Sequence, residues 1–90
     1  MAKLTLYTDK TVMSHVARQT LQEKNIDFDE IYIEENDQAR SWLDSKRNLV
    51  YYPCPQFYVD HTLAFENVQE VIAKSEIEIN QRVEEINAAI

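Results

Sequence analysis

Ninety residues make one small domain, which buries only about 60–65% of the surface its unfolded chain exposes and is accordingly marginal in stability. Hydrophobic residues at 44% and charged residues at 28% exclude a disordered tail and predict a globular fold. Nine basic against sixteen acidic residues leave a net charge of −7, which repels a phosphate backbone, so no direct nucleic-acid binding is expected.

In chain order, Lys3 to Tyr7 alternates polar and apolar residues and predicts a first strand with Leu4 and Leu6 on one side. After a loop at Asp9 to Thr11, Val16, Ala17, Thr20 and Leu21 fall at helical spacing. Ser14 is the expected N-cap of this first helix, which runs to about Lys24 and is closed by Asn25. Phe28 to Ile33 alternates again as a second strand, so the first third predicts a parallel βαβ unit with a right-handed crossover. Asn36 is placed to cap a second helix, with Ala39, Trp42 and Leu43 as its buried stripe, ending near Arg47.

Pro53 and Pro55 then bracket the single cysteine, Cys54. Proline has no backbone donor and is tolerated at the first residue of a strand, so Pro55 is expected to open a third strand, Gln56 to Val59, paired with a short fourth at Thr62 to Ala64. Phe65, Val68, Val71 and Ile72 predict the apolar face of a third helix. Ser75 with Glu78 three residues on reads as a capping box opening a fourth, about 76–90. On that helix Ile79, Val83, Ile86 and Ile90 form a narrow stripe, while Gln81, Arg82, Glu84 and Glu85 face away. The stripe is expected to pack on the sheet or the third helix in preference to forming a dimer seam, since two heptads make a weak coiled coil. The chain is therefore a monomer, or a homodimer if the seam forms. Glycine is absent, and Asn25, Asn48 and Asp60 are expected to supply any left-handed backbone. With one cysteine no internal disulfide forms, and no Cys/His cluster exists to hold a metal. No apolar run approaches the roughly 18 residues of a membrane span and the N-terminus lacks the apolar centre of a signal peptide, so a cytoplasmic protein without membrane association is expected.

The order β-α-β-α-β-β-α-α with a proline opening the third strand resembles the thioredoxin-like α/β fold of the glutaredoxin type, carrying an extra C-terminal helix. Pro55-Gln56-Phe57-Tyr58-Val59-Asp60 followed by an acidic helix start resembles the second half of glutaredoxins and of glutathione-transferase N-terminal domains, and implies a cis bond before Pro55. Ser14-His15, Arg18 and Leu21-Gln22-Glu23-Lys24 are similar to the polymerase-associated stringent starvation protein A of that group. Together these likenesses span residue 3 to about residue 74. Where glutaredoxins carry Cys-x-x-Cys, this chain has Val12-Met13-Ser14-His15, so dithiol exchange is chemically impossible there. The resemblance thus implies a single domain, 1–90, that works by binding a protein partner, with RNA polymerase the partner it suggests and transcription regulation the role. The alternative it implies is a glutaredoxin-like protein that binds glutathione through Cys54 or Ser14.

Each candidate residue has a functional and a structural reading. Ser14 could activate a glutathione thiol, or simply cap its helix. His15, a lone histidine, could titrate near neutrality or pack on the helix start. Cys54, preceding Pro55, is expected to face the start of the first helix with a depressed pKa, or else to be a small buried hydrophobe. Glu66-Asn67 stands where transferases grip the γ-glutamyl group, and an acidic residue there also suits a helix start. Tyr51-Tyr52 lies in a loop and is the candidate interface, whereas Tyr7, Tyr58 and Trp42 are expected to pack. No catalytic residue is assigned, and enzymatic activity is not expected unless Cys54 or Ser14 carries it. An acidic surface acting as a nucleic-acid mimic rests on net charge alone.

Overall fold

The structure is a computed structural model and describes residues 2–89. Strand β1 (Leu4–Thr8) leads into α1 (Val12–Glu23), β2 (Phe28–Tyr32), a 3-10 turn at Ile33–Glu35, and α2 (Asp37–Lys46). Then come β3 (Gln56–Val59), β4 (Thr62–Phe65), α3 (Val68–Ala73) and α4 (Glu76–Ala89). The sheet order is β2-β1-β3-β4, with β1 parallel to β2 and antiparallel to β3. This is the thioredoxin-like, glutaredoxin-type arrangement, followed by one further helix.

Alternation along the strands divides the apolar residues between two faces. Leu4 and Leu6 of β1, with Phe57 and Val59 of β3, meet Ala17 and Leu21 of α1, Val68 and Val71 of α3, and Ile79 and Ile86 of α4. Tyr7 and Tyr58 point to the other face and pack with Trp42 and Leu43 of α2, the three aromatic rings lying 5.3–5.8 Å apart. Ile79 and Ile86 of the α4 stripe are buried in this core and Val83 packs against it; Ile90 lies outside the described residues.

The turns show how the chain manages without glycine. Asn25 and Asp60 adopt φ of 58° and 57°, whereas Asn48, expected to share that duty, does not; its carboxamide accepts the Val50 amide proton instead. Ser75 and Glu78 form the reciprocal capping box, at 3.1 and 3.2 Å. Other expectations are corrected as well. Ser14 is not the N-cap of α1: Thr11 is, its hydroxyl accepting the Ser14 amide, and Ser14 is fully buried within the first turn. Phe65 belongs to β4, and Ile72, assigned to the buried face of α3, is half exposed. Arg82 does not face away, since its guanidinium donates to the Leu63 and Ala64 carbonyls and fastens α4 to β4.

One charge pair links the crossover helix to the edge strand. Arg18 donates to both carboxylate oxygens of Glu30 at 2.7 and 2.6 Å, and the Thr8 hydroxyl donates to the same carboxylate at 2.8 Å. The Arg18 hydrogen bond above all, then that of Thr8, holds the Glu30 carboxyl below its ordinary 4.5. A lowered folded-state pKa gives stability that is present above 4.5 and lost as pH falls through the lower value. Glu30→Gln should therefore cost about 0.5–1 kcal/mol at pH 7, kept small by partial exposure. Thermal melts of wild type and variant should converge on acidification below 4.5.

Candidate functional site

Three segments converge on one face: the start of α1, the loop between α2 and β3 with its cis Cys54–Pro55 bond, and the β4–α3 junction. Between them lies an open groove of about 350 Å³ whose lining includes Met13, Tyr51, Tyr52, Cys54, Glu66 and Gln69. Gln56 sets the loop: its buried side-chain amide donates to the Tyr52 carbonyl and its oxygen accepts the Tyr58 hydroxyl at 3.3 Å. Without that partner a buried carboxamide would be costly, so Gln56 couples the loop to the first residue of β3.

The groove brings together Tyr51, Tyr52, Cys54, Pro55, Glu66 and Asn67, and leaves out Ser14 and His15. Ser14 is sealed into the α1 entry, where it donates to Asp9 Oδ1 at 2.9 Å and accepts the Asp9 amide at 3.0 Å, so no hydroxyl faces a ligand. His15 is exposed, with Nδ1 3.4 Å from Arg18 Nη1. Asn67 caps α3 by accepting the Glu70 amide, and the Glu70 carboxylate accepts the Glu66 amide in return.

Cys54 departs from the expected activated thiol. It is 4% exposed, and burial first, then the nearby Asp9 carboxylate, push its thiol up to about 12, with only Arg40 opposing. Asp9 and Arg40 share with it a second cleft of about 130 Å³. Asp9 Oδ1 also accepts from the Thr11 amide and hydroxyl, so a carboxylate of the chain itself is fixed at the entrance to α1. The helix terminus is therefore not a free cationic environment for a thiolate on Cys54.

Two residues that shape the candidate site escaped the sequence reading. Asp9 had a readable signal, because Asp-x-Thr just before a helix favours an Asx turn. Arg47 had none beyond its place at the end of α2. Its guanidinium lies 4.0 Å over the Tyr52 ring and 3.3 Å from Glu66, with 15% of the side chain exposed. Glu66, just before the Asn67 cap of α3, pairs one carboxylate oxygen with this guanidinium. Among the described residues no three His, Cys, Asp or Glu side chains gather as metal ligands, and no helix is long and apolar enough to cross a membrane.

The four-stranded sheet, the proline-opened third strand and the groove beside α1 define a glutaredoxin-type thioredoxin-like domain whose first-helix terminus bears no thiol. The chain belongs to the glutaredoxin family: residues 5–64, from β1 through β4, match the family described as Glutaredoxin. No curated protein matches the sequence.

Proposed function

We propose that this protein is a non-redox member of its family that binds an extended segment of a protein partner in the groove. One observation carries the reading: of the seven large apolar side chains left exposed among the described residues, five lie in the groove or next to its lining in the chain, where a thiol would otherwise act. Met13, Tyr51 and Tyr52 line the groove, and Tyr51 is 77% and Tyr52 50% exposed; their chain neighbours Val12 and Val50 are exposed as well. Exposed tyrosines on a concave surface are efficient binding anchors, being large, rigid and amphipathic. Cytoplasmic location and regulation of transcription through RNA polymerase belong to the same proposal, on the likeness of the Ser14 to Lys24 stretch to stringent starvation protein A. Glutathione binding is the alternative, which family membership and the presence of Cys54, Glu66 and Asn67 in one groove favour. Against it, the one cation lining the groove, Arg47, is paired with Glu66 and unavailable to a ligand carboxylate.

Capture from cell lysate followed by hydrogen exchange on the complex tests the proposal. Tyr51→Ala/Tyr52→Ala should weaken retention roughly ten- to a hundredfold while leaving the melting temperature nearly unchanged. In the wild-type complex, protection should fall on residues 51–56 and 66–69. Equal retention by the variant, or robust reduction of a glutathione mixed disulfide, would remove the proposal. Amide shifts at Cys54, Glu66 and Asn67 in millimolar glutathione would move the assignment to the alternative.

A further inference from the structure

We infer that the segment received by the groove is basic as well as apolar, an extended peptide in which arginine or lysine alternates with aliphatic or aromatic residues. This rests on the groove being the binding site, and adds the chemistry of its occupant. Arg47, the only cation in the lining among the described residues, is spent internally: Tyr52 covers it, Glu66 neutralises it, and most of its side chain is withdrawn from solvent. Glu66, by contrast, keeps 65% of its side chain exposed and is the charge a ligand would meet. Asn67 and Gln69 beside it offer neutral polar groups.

Part of the same lining is aromatic. Arg47 over the Tyr52 ring shows that this loop accommodates a guanidinium on a ring face, and Tyr51, in the same lining, leaves a second ring uncovered. A cation over a tyrosine face is attracted by the ring quadrupole, and the Glu66 carboxylate in the same lining supplies the matching anion. The pattern of an aromatic lining, an exposed carboxylate and a neutralised cation selects a basic side chain and disfavours an acidic one. The net charge of −7 adds a long-range field that speeds the approach of a cationic segment.

Amide NMR titrations with three acetylated and amidated pentapeptides test this: Leu-Arg-Phe-Arg-Leu, Leu-Gln-Phe-Gln-Leu and Leu-Glu-Phe-Glu-Leu. The arginine peptide should shift Tyr51, Tyr52, Glu66 and Gln69 and bind roughly three- to tenfold more tightly than the glutamine peptide at low salt. That advantage should shrink in 0.5 M salt, a concentration at which the screening length is only about 4 Å. Glu66→Gln should bring the arginine-to-glutamine ratio toward one and raise the affinity for the glutamate peptide, because Arg47 is then released. Equal binding of the arginine and glutamine peptides at the groove would overturn the basic preference and leave the groove reading intact. Tighter binding of the glutamate peptide to the wild type would also overturn it. If none of the three shifts the groove, both readings fall together, and an unchanged melting temperature of Glu66→Gln shows that lost binding is not unfolding.

Discussion

Phe57→Ala should destabilise the protein by about 3–5 kcal/mol, because it deletes a fully buried ring from the larger of the two core faces. Phe57 is fully buried on the third strand, opposite Leu6 on one side and Phe65 on the other. Its ring stands edge-on to that of Phe65 with centroids 6.1 Å apart. The strands on both sides fix the backbone of β3, so the cavity cannot collapse easily and most of the lost packing stays lost. A small domain is stable by only about 5–15 kcal/mol, so the loss is a large fraction of the total and should lower Tm by roughly 15–30 °C. Urea denaturation followed by circular dichroism measures it directly. Tyr51→Ala, on an exposed loop residue, serves as the control and should stay within about 0.5 kcal/mol of wild type. A loss below about 1.5 kcal/mol for Phe57→Ala would mean that the sheet repacks, contrary to the rigid central strand described above.

The contrast between these two positions also explains what could be read without the structure. Regular spacing announced β1, α1 and β2, and Asn25, Asp60 and the Ser75–Glu78 box were legible because each acts on backbone within a few residues. Errors arose where local signals were degenerate. Asp9, Thr11 and Ser14 can each cap a helix, and choosing among them needed the Ser14 hydroxyl to be seen turned inward onto Asp9. Phe65 sits between the apolar end of the strand, Leu63-Ala64, and the first apolar residue of the helix, Val68, where periodicity of two and of 3.6 cannot be told apart over so few residues. The groove was legible as a place, through Cys54, Pro55, Glu66 and Asn67, but its electrostatics were not. Arg47 reaches Glu66, and Asp9 reaches Cys54, only after the chain has folded, so no local pattern encodes either encounter.

Restoring a thiol at the first turn separates the setting from the residue. In Val12→Cys/Cys54→Ala the new thiol occupies the first residue of α1, a position 75% exposed in the parent, where unpaired helix amides favour a thiolate. With a pKa of about 7.5 it would be roughly a quarter ionised at pH 7, whereas a thiol at about 12 is ionised to only about one part in 10⁵. Lower basicity gives back part of that factor of about 10⁴, because nucleophilicity falls with pKa at a slope of about 0.4–0.5, which returns roughly a hundredfold. Iodoacetamide should accordingly alkylate the variant at least about a hundredfold faster than Cys54 in the wild type, with burial of Cys54 widening the gap. Adding Asp9→Asn should accelerate the variant further, since a carboxylate fixed beside the helix entrance opposes the thiolate. Intact-mass kinetics across pH 6–9 read all of these rates. If Cys54 alkylates within tenfold of the introduced thiol, its burial is not protective and the nucleophile reading of Cys54 revives. The expected gap instead means that the fold still holds the electrostatic seat of a redox centre, with valine in that seat and the remaining cysteine kept protonated.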